Sequence, residues 1–108
     1  MSGEILSQLS TYCYMVQRGK PAALMPIQKR YVAEAMNHIE QYGDLNCCLE
    51  ALNDDWYSLW IYKHEFLLDV IKSVPDEPKT VYDHWVLGKL FGYDESSIGE
   101  FIKKQMKH

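Results

Sequence analysis

The longest stretch without Gly or Pro lies between Gly43 and Pro75. Its latter part, residues 54–73, reads Asp-Asp-Trp-Tyr-Ser-Leu-Trp-Ile-Tyr-Lys-His-Glu-Phe-Leu-Leu-Asp-Val-Ile-Lys-Ser. Wound as a helix at about 100° per residue, it puts Ser58, Tyr62, Glu65, Asp69 and Lys72 on one narrow polar stripe. Trp56, Leu59, Trp60, Phe66, Leu67, Val70 and Ile71 fill the other side, and Tyr57, Ile61 and Leu68 flank the stripe. A helix with so thin a polar stripe is surrounded by other helices. The stretch therefore reads as the central helix of a small all-α bundle. Lys63 falls inside the apolar face, so it is expected to pair with an acid, to snorkel past Trp60 and Leu67, or to face a partner.

The flanking segments read as shorter helices. Ile5, Leu9, Tyr12, Cys13 and Val16 sit at helical spacing over residues 4–18, and Gly19 ends that pattern. Pro26 is placed to start a second helix carrying Ile27, Tyr31, Ala35 and Ile39 on one face, with Gly43 ending it. Asp44 opens a short third helix holding Leu45, Cys48, Leu49 and Leu52, and Asn53-Asp54-Asp55 caps the central helix. Pro75 ends the central helix, and Val74 to Pro78 is a stiff, extended connection. Pro78 starts a fifth helix with Val81, Tyr82, Trp85, Val86, Leu87, Leu90 and Phe91, in which Gly88 allows close approach of a neighbour. Ser97-Ile98-Gly99-Glu100 matches a capping box for a last helix ending in Lys103, Lys104, Lys107 and His108. No segment alternates polar and apolar between turn signals, so no sheet is expected. With 108 residues, the chain forms one helical domain, residues 1–108.

The chemistry-bearing residues form no recognisable catalytic or metal-ligand pattern. His38, His64, His84, His108 and three Cys lack any C-x-x-C, H-E-x-x-H or H-x-x-H spacing, and no metal or cofactor is expected. Asp83 and His84 are adjacent, so on a helix they point about 100° apart and do not form a base with its orienter. No Gly-rich loop follows a strand to hold phosphate. The odd number of Cys, including the adjacent Cys47-Cys48, suits a reducing compartment. Without a basic and apolar leader, and with no apolar run near the roughly 20 residues that span a bilayer, a soluble cytoplasmic protein is expected.

Charge is distributed unevenly. Residues 1–43 carry four basic groups against three acids, residues 44–100 four against twelve, and the last eight residues add three Lys. An acidic middle opposes direct nucleic-acid binding, which demands a positive footprint. The turn Phe91-Gly92-Tyr93-Asp94-Glu95 resembles a helix-turn-helix connection, but carboxylates at the start of the second helix would be repelled by phosphates. Within the acidic middle, Asp54, Asp55, Glu65, Asp69, Asp76, Glu77 and Asp83 are interspersed with Trp56, Tyr57, Tyr62 and Tyr82. Acids steer a basic partner in, and Tyr or Trp supplies the affinity. The candidate partner-binding residues are therefore Asp54, Asp55, Tyr57, Tyr62, Glu65, Asp69, Asp76, Glu77 and Asp83.

The C-terminal segment His84-Trp85-Val86-Leu87-Gly88-Lys89-Leu90-Phe91-Gly92-Tyr93, followed by Ile98, Phe101 and Ile102, resembles the tails of short phage and mobile-element proteins. Small acidic proteins of that kind include inhibitors of host defence, anti-CRISPR proteins among them. The resemblance implies an inhibitor of host defence, and the acidic middle with its interspersed aromatics points to a non-enzymatic protein that docks on a larger, basic, nucleic-acid-handling partner. The resemblance transfers no catalytic or binding residue. The alternatives are a homo-oligomeric structural or regulatory module, whose aromatics seal a self-interface, and a small ligand-binding domain or enzyme.

Overall fold

The stretch from Asp54 to Ser73 does not fold as one helix. Trp56–Tyr62 is a β-strand, Leu67–Ser73 is a short α-helix, and residues 63–66 turn between them. The computed structural model describes residues 1–105. In chain order its elements are α1 (Gly3–Gln17), β1 (Ala22–Gln28), a 3-10 turn (Lys29–Tyr31), α2 (Val32–Glu40), β2 (Asn46–Ala51), β3 (Trp56–Tyr62), α3 (Leu67–Ser73), α4 (Val81–Leu90) and α5 (Glu95–Gln105). The three strands form one antiparallel sheet in the order β1-β3-β2. The expected all-α helical bundle is thus replaced by a mixed α/β fold.

The reason lies in how a central strand is buried. Odd-numbered residues of β3 point one way, where Leu59 and Ile61 join Ala23, Met25 and Ile27 of β1 against Leu9, Cys13 and Val16 of α1 and Ala35 and Ile39 of α2. Even-numbered residues point the other way, where Trp60 and Tyr62 join Ala22 against Leu67 and Ile71 of α3 and Leu90 of α4. A strand covered on both faces is apolar throughout and shows no alternation. Periodicity alone cannot separate such a run from a buried helix. Its Trp, Tyr and Ile residues fill a pleated surface well, and that preference prevails here. Leu59, Ile61 and Ile71 are fully buried, each worth roughly 1.5–3 kcal/mol of removed apolar surface.

The same effect accounts for the other differences. Cys48 and Leu49, expected on a third helix, are neighbours on β2 that pack into opposite clusters. Pro26, expected to start a helix, lies within β1, an edge strand where a missing N–H is tolerated. The second helix starts only at Val32. Asn53 caps no helix. Its Oδ1 accepts the N–H groups of Asp55 at 2.9 Å and Trp56 at 3.0 Å, shaping the β2–β3 turn. Lys63 sits in the turn after β3, its ammonium 3.6 Å from the Asp44 carboxylate, so pairing with an acid is the outcome.

Helices at the two ends follow their local signals. α1 ends before Gly19, whose φ of 120° is reserved in practice for glycine. α3 ends at Ser73, and Val74 is extended ahead of Pro75. Thr80 Oγ1 accepts the Asp83 N–H at 3.0 Å while the Asp83 carboxylate accepts the Thr80 N–H at 3.1 Å, a capping box that starts α4. α5 begins at Glu95, before the expected box at Ser97, because the Asp94 carboxylate accepts the Ser97 N–H at 2.7 Å. The expectation for Lys107 and His108 lies outside the described residues. Trp60 stacks on Phe91 at a centroid distance of 5.8 Å and an interplanar angle of 10°, tying the end of α4 to the sheet.

Candidate functional site

Helix α4 carries more apolar surface than its neighbours cover. Val86, Leu87 and Leu90 pack into the cluster with Trp60, Tyr62 and Ile71. Gly88 receives Ile98, the buried residue of α5. Val81, Tyr82 and Trp85 stay exposed, Tyr82 at 71%. Phe66, at the start of α3, is 69% exposed, and Tyr93 and Phe101 at α5 are exposed as well. Seven aromatic side chains of Phe, Tyr or Trp type are exposed among the described residues. Five of them therefore fall in the layer formed by α3, α4 and α5.

Several of these rings are held by neighbours. Phe66 stacks on His64 at 5.5 Å, and Phe101 meets His84 edge-on at 5.5 Å. Trp85 donates its Nε1–H to the Glu95 carboxylate at 3.2 Å, the same carboxylate pairs with Lys89, and the Lys89 ammonium lies 5.6 Å from the Trp85 ring centroid. The hydrogen bond from Lys89, then that from Trp85, holds the Glu95 carboxyl below its usual range. Between α4 and α5 runs a cavity of about 510 Å³, walled by Leu87, Phe91, Ile98 and Phe101, with His84, Tyr93 and Ser97 as its polar groups. That size suits a small apolar group or a partner's side chain.

Carboxylates are frequent in the segment that supplies this layer, while Phe66 shares a recess with Lys20 and Lys63. Residues 64–83 carry five acids, Glu65, Asp69, Asp76, Glu77 and Asp83, against Lys72 and Lys79. Glu65, Asp69, Asp76 and Glu77 are exposed and form no ion pair among the described residues. Asp83 is committed to the capping box, and the N–H groups of Lys79 and then Thr80 hold its carboxyl below the usual range.

The remaining sequence candidates lie elsewhere. Asp54 and Asp55 are exposed in the β2–β3 turn, at the opposite end of β3 from Glu65. The length of that strand separates them by about 20 Å. Asp55 shares a surface recess with Lys29, Arg30 and Trp56, so its surroundings are of mixed charge. Tyr57 packs against the α1–α2 side, and Tyr62 is buried beneath α3 with its hydroxyl pKa raised by that burial. Tyr62 is thus withdrawn from contact, and Tyr57 is half-buried. The exposed rings of the α3–α5 layer all lie outside the sequence-derived set: Phe66, Tyr82, Trp85, Tyr93 and Phe101. Their sequence signal is the surplus of apolar positions around α4, more than one buried face requires.

Other reactive groups are placed for structure. Burial pushes the Cys13 thiol up to about 11, with Cys47 adding to the shift, and burial also raises Cys47 and Cys48. All three are unpaired thiols held in the protonated, weakly nucleophilic form. Ser10 Oγ lies 2.9 Å from His38 Nε2, and the His38 ring also meets Tyr42 edge-on at 5.6 Å. The Ser10–His38 contact joins α1 to α2. No group of three or more metal-binding side chains gathers among the described residues, and no described helix is long and apolar enough to cross a membrane.

Comparison with known protein families, with curated proteins and with solved structures finds no match to this chain.

Proposed function

We propose that this chain is a non-enzymatic protein-binding module that docks on a larger, basic protein through the α3–α5 layer. The observation that carries this reading is the exposure of Tyr82 and Phe66 in a segment where five acids face two Lys. Exposed aromatic rings give large contact area at low entropic cost and recur as anchors at interfaces. Unpaired carboxylates in the same segment steer a cationic surface into place. The cavity between α4 and α5 offers an apolar recess for a side chain of the partner.

A basic partner that handles nucleic acid offers its phosphate-binding charges to this surface. Occupying them would compete with nucleic acid, which depends on the same charges. The chain then acts as an inhibitor of the anti-CRISPR-like kind. Its three unpaired thiols fit a cytoplasmic setting.

The test is affinity capture with the tagged full chain at low and high salt, in parallel with Tyr82→Ser. A basic nucleic-acid-handling protein, retained in stoichiometric amount by the wild type and lost both at high salt and with Tyr82→Ser, supports the reading. Capture unchanged by the substitution contradicts it. So does a homodimer that Tyr82→Ser dissolves, which makes the layer a self-interface.

A further inference from the structure

The sheet has two edges, and only one is blunted. Leu52 N–H donates to Trp56 O at 3.0 Å, and Lys29 N–H donates to Asp55 O at 2.8 Å. Bonded pairs recur at every second residue of an antiparallel ladder. Even-numbered residues of β2 therefore bond to β3, and Cys47, Leu49 and Ala51 turn their N–H and C=O groups away from the sheet. On β1 the outward positions are even-numbered, and Pro26 is one of them. It has no N–H to offer there. β2 carries neither Pro nor Lys, the usual means of protecting an edge. Among the described residues, none hydrogen-bonds the backbone N–H of Cys47, Leu49 or Ala51.

A groove runs beside this edge. It lies between α2 and β2, with a volume of about 460 Å³ and a lining that includes Ala33, Met36, Asn37, Glu40, Leu45 and Cys47. The Cys47 side chain points to the α2 side of the sheet. A strand added to β2 places alternate side chains on that side, directly over the groove. Met36, Leu45 and Cys47 make its apolar part. Glu40 is exposed, forms no ion pair among the described residues, and is near enough to add to the upward shift of the Cys47 thiol after burial.

We propose that the outer edge of β2 and the groove beneath α2 form a strand-addition site for an extended segment of another protein, with an apolar side chain over Cys47 and a Lys or Arg against Glu40. A second copy of this chain answers the requirement poorly. β2 reads Asn-Cys-Cys-Leu-Glu-Ala and brings no cation to Glu40. The site lies on the opposite face of the sheet from the α3–α5 layer and stands independently of the function proposed for that layer.

The probe is a random-peptide display library selected against the full chain. Enriched peptides are expected to carry a Lys or Arg among alternating apolar residues, and to shift the amide resonances of residues 33–40 and 45–51. Glu40→Lys, an exposed helix position, should weaken their binding by about tenfold, roughly what losing one charge-assisted contact removes. Ala51→Pro, which deletes one outward N–H, should weaken it similarly, and thermal melts of both variants confirm that the fold is kept. The proposal is overturned by a selection that enriches nothing, by peptides that bind Glu40→Lys as well as wild type, or by shifts confined to α4 and α5. A dimer in sedimentation that Ala51→Pro dissolves also overturns it, in favour of self-pairing.

Discussion

Gly88 of α4 lies directly against Ile98 of α5: a Cβ at position 88 would stand 2.6 Å from Ile98 Cγ1 and 2.9 Å from Cδ1. This contact seats the last helix, and it fixes the cavity that the two helices enclose. Gly88→Ala gains about 1 kcal/mol of helix propensity and loses about 1–3 kcal/mol to overpacking. Net destabilisation is expected in a urea melt. In an Ile98→Ala background the clash is gone, so the same substitution should become neutral or stabilising. Equal effects in both backgrounds would show that the two side chains do not meet.

Ile61 and Ile71 are both fully buried, but in separate clusters on opposite faces of the sheet. Ile61→Val and Ile71→Val should each cost about 0.5–1.5 kcal/mol. Their effects should add to within about 0.5 kcal/mol, because they share no packing partner. Strong coupling in chemical denaturation would place them in one core, as a single helix through residues 55–73 would.

The Thr80–Asp83 capping box makes the start of α4 sensitive to acid. Thr80→Ala should cost about 1 kcal/mol. The Asp83 carboxyl is held below its usual range by the N–H groups of Lys79 and Thr80. A depressed folded-state pKa gives stability that is present above the unfolded value and lost as pH falls through the folded one. Asp83→Asn should therefore show a smaller drop in Tm than wild type between neutral pH and strongly acidic pH. An identical acid profile would deny Asp83 that role.

At the alkaline end the sign is reversed. Burial raises the Cys13 thiol to about 11. The folded chain then holds a proton that the unfolded chain gives up, so stability should fall as pH rises from the ordinary thiol range toward that value. Cys13→Ala should lower stability at neutral pH by removing buried volume, yet flatten the alkaline decline. Thermal melts across that range, under reducing conditions, would show it. A decline as steep as wild type would trace it to other groups.

Legibility in the sequence followed the locality of each signal. α1, with its stripe from Ile5 to Val16 and its stop at Gly19, is encoded within one segment, as are the Pro75 break and the Gly88 contact. β3 is not. Its identity depends on β1 and β2 arriving on either side and on helices covering both faces, so Trp56 to Tyr62 shows neither the alternation of a surface strand nor a true helical period. Pro26 misled for a related reason, since the edge position that tolerates it exists only once the sheet is built. For the candidate site, the excess of acids was visible along the chain, but its division between two ends of β3 was not. Tyr57 and Tyr62 alternate inward on the strand, while Tyr82 and Trp85 are left outward because α4 is apolar around most of its circumference.

The most direct test of the docking face is the dissociation constant for the captured partner, measured for wild type and for Glu65→Lys with Asp69→Lys, at low and high salt. Both positions are exposed and make no ion pair among the described residues, so the fold should be kept at the cost of about 1 kcal/mol or less for a cation in the first turn of α3, which a thermal melt checks. Binding should weaken by about tenfold or more at low salt, with a smaller difference at high salt where the charges are screened. Equal affinity of the two proteins at both salt concentrations would contradict an acidic docking face on the α3–α5 layer.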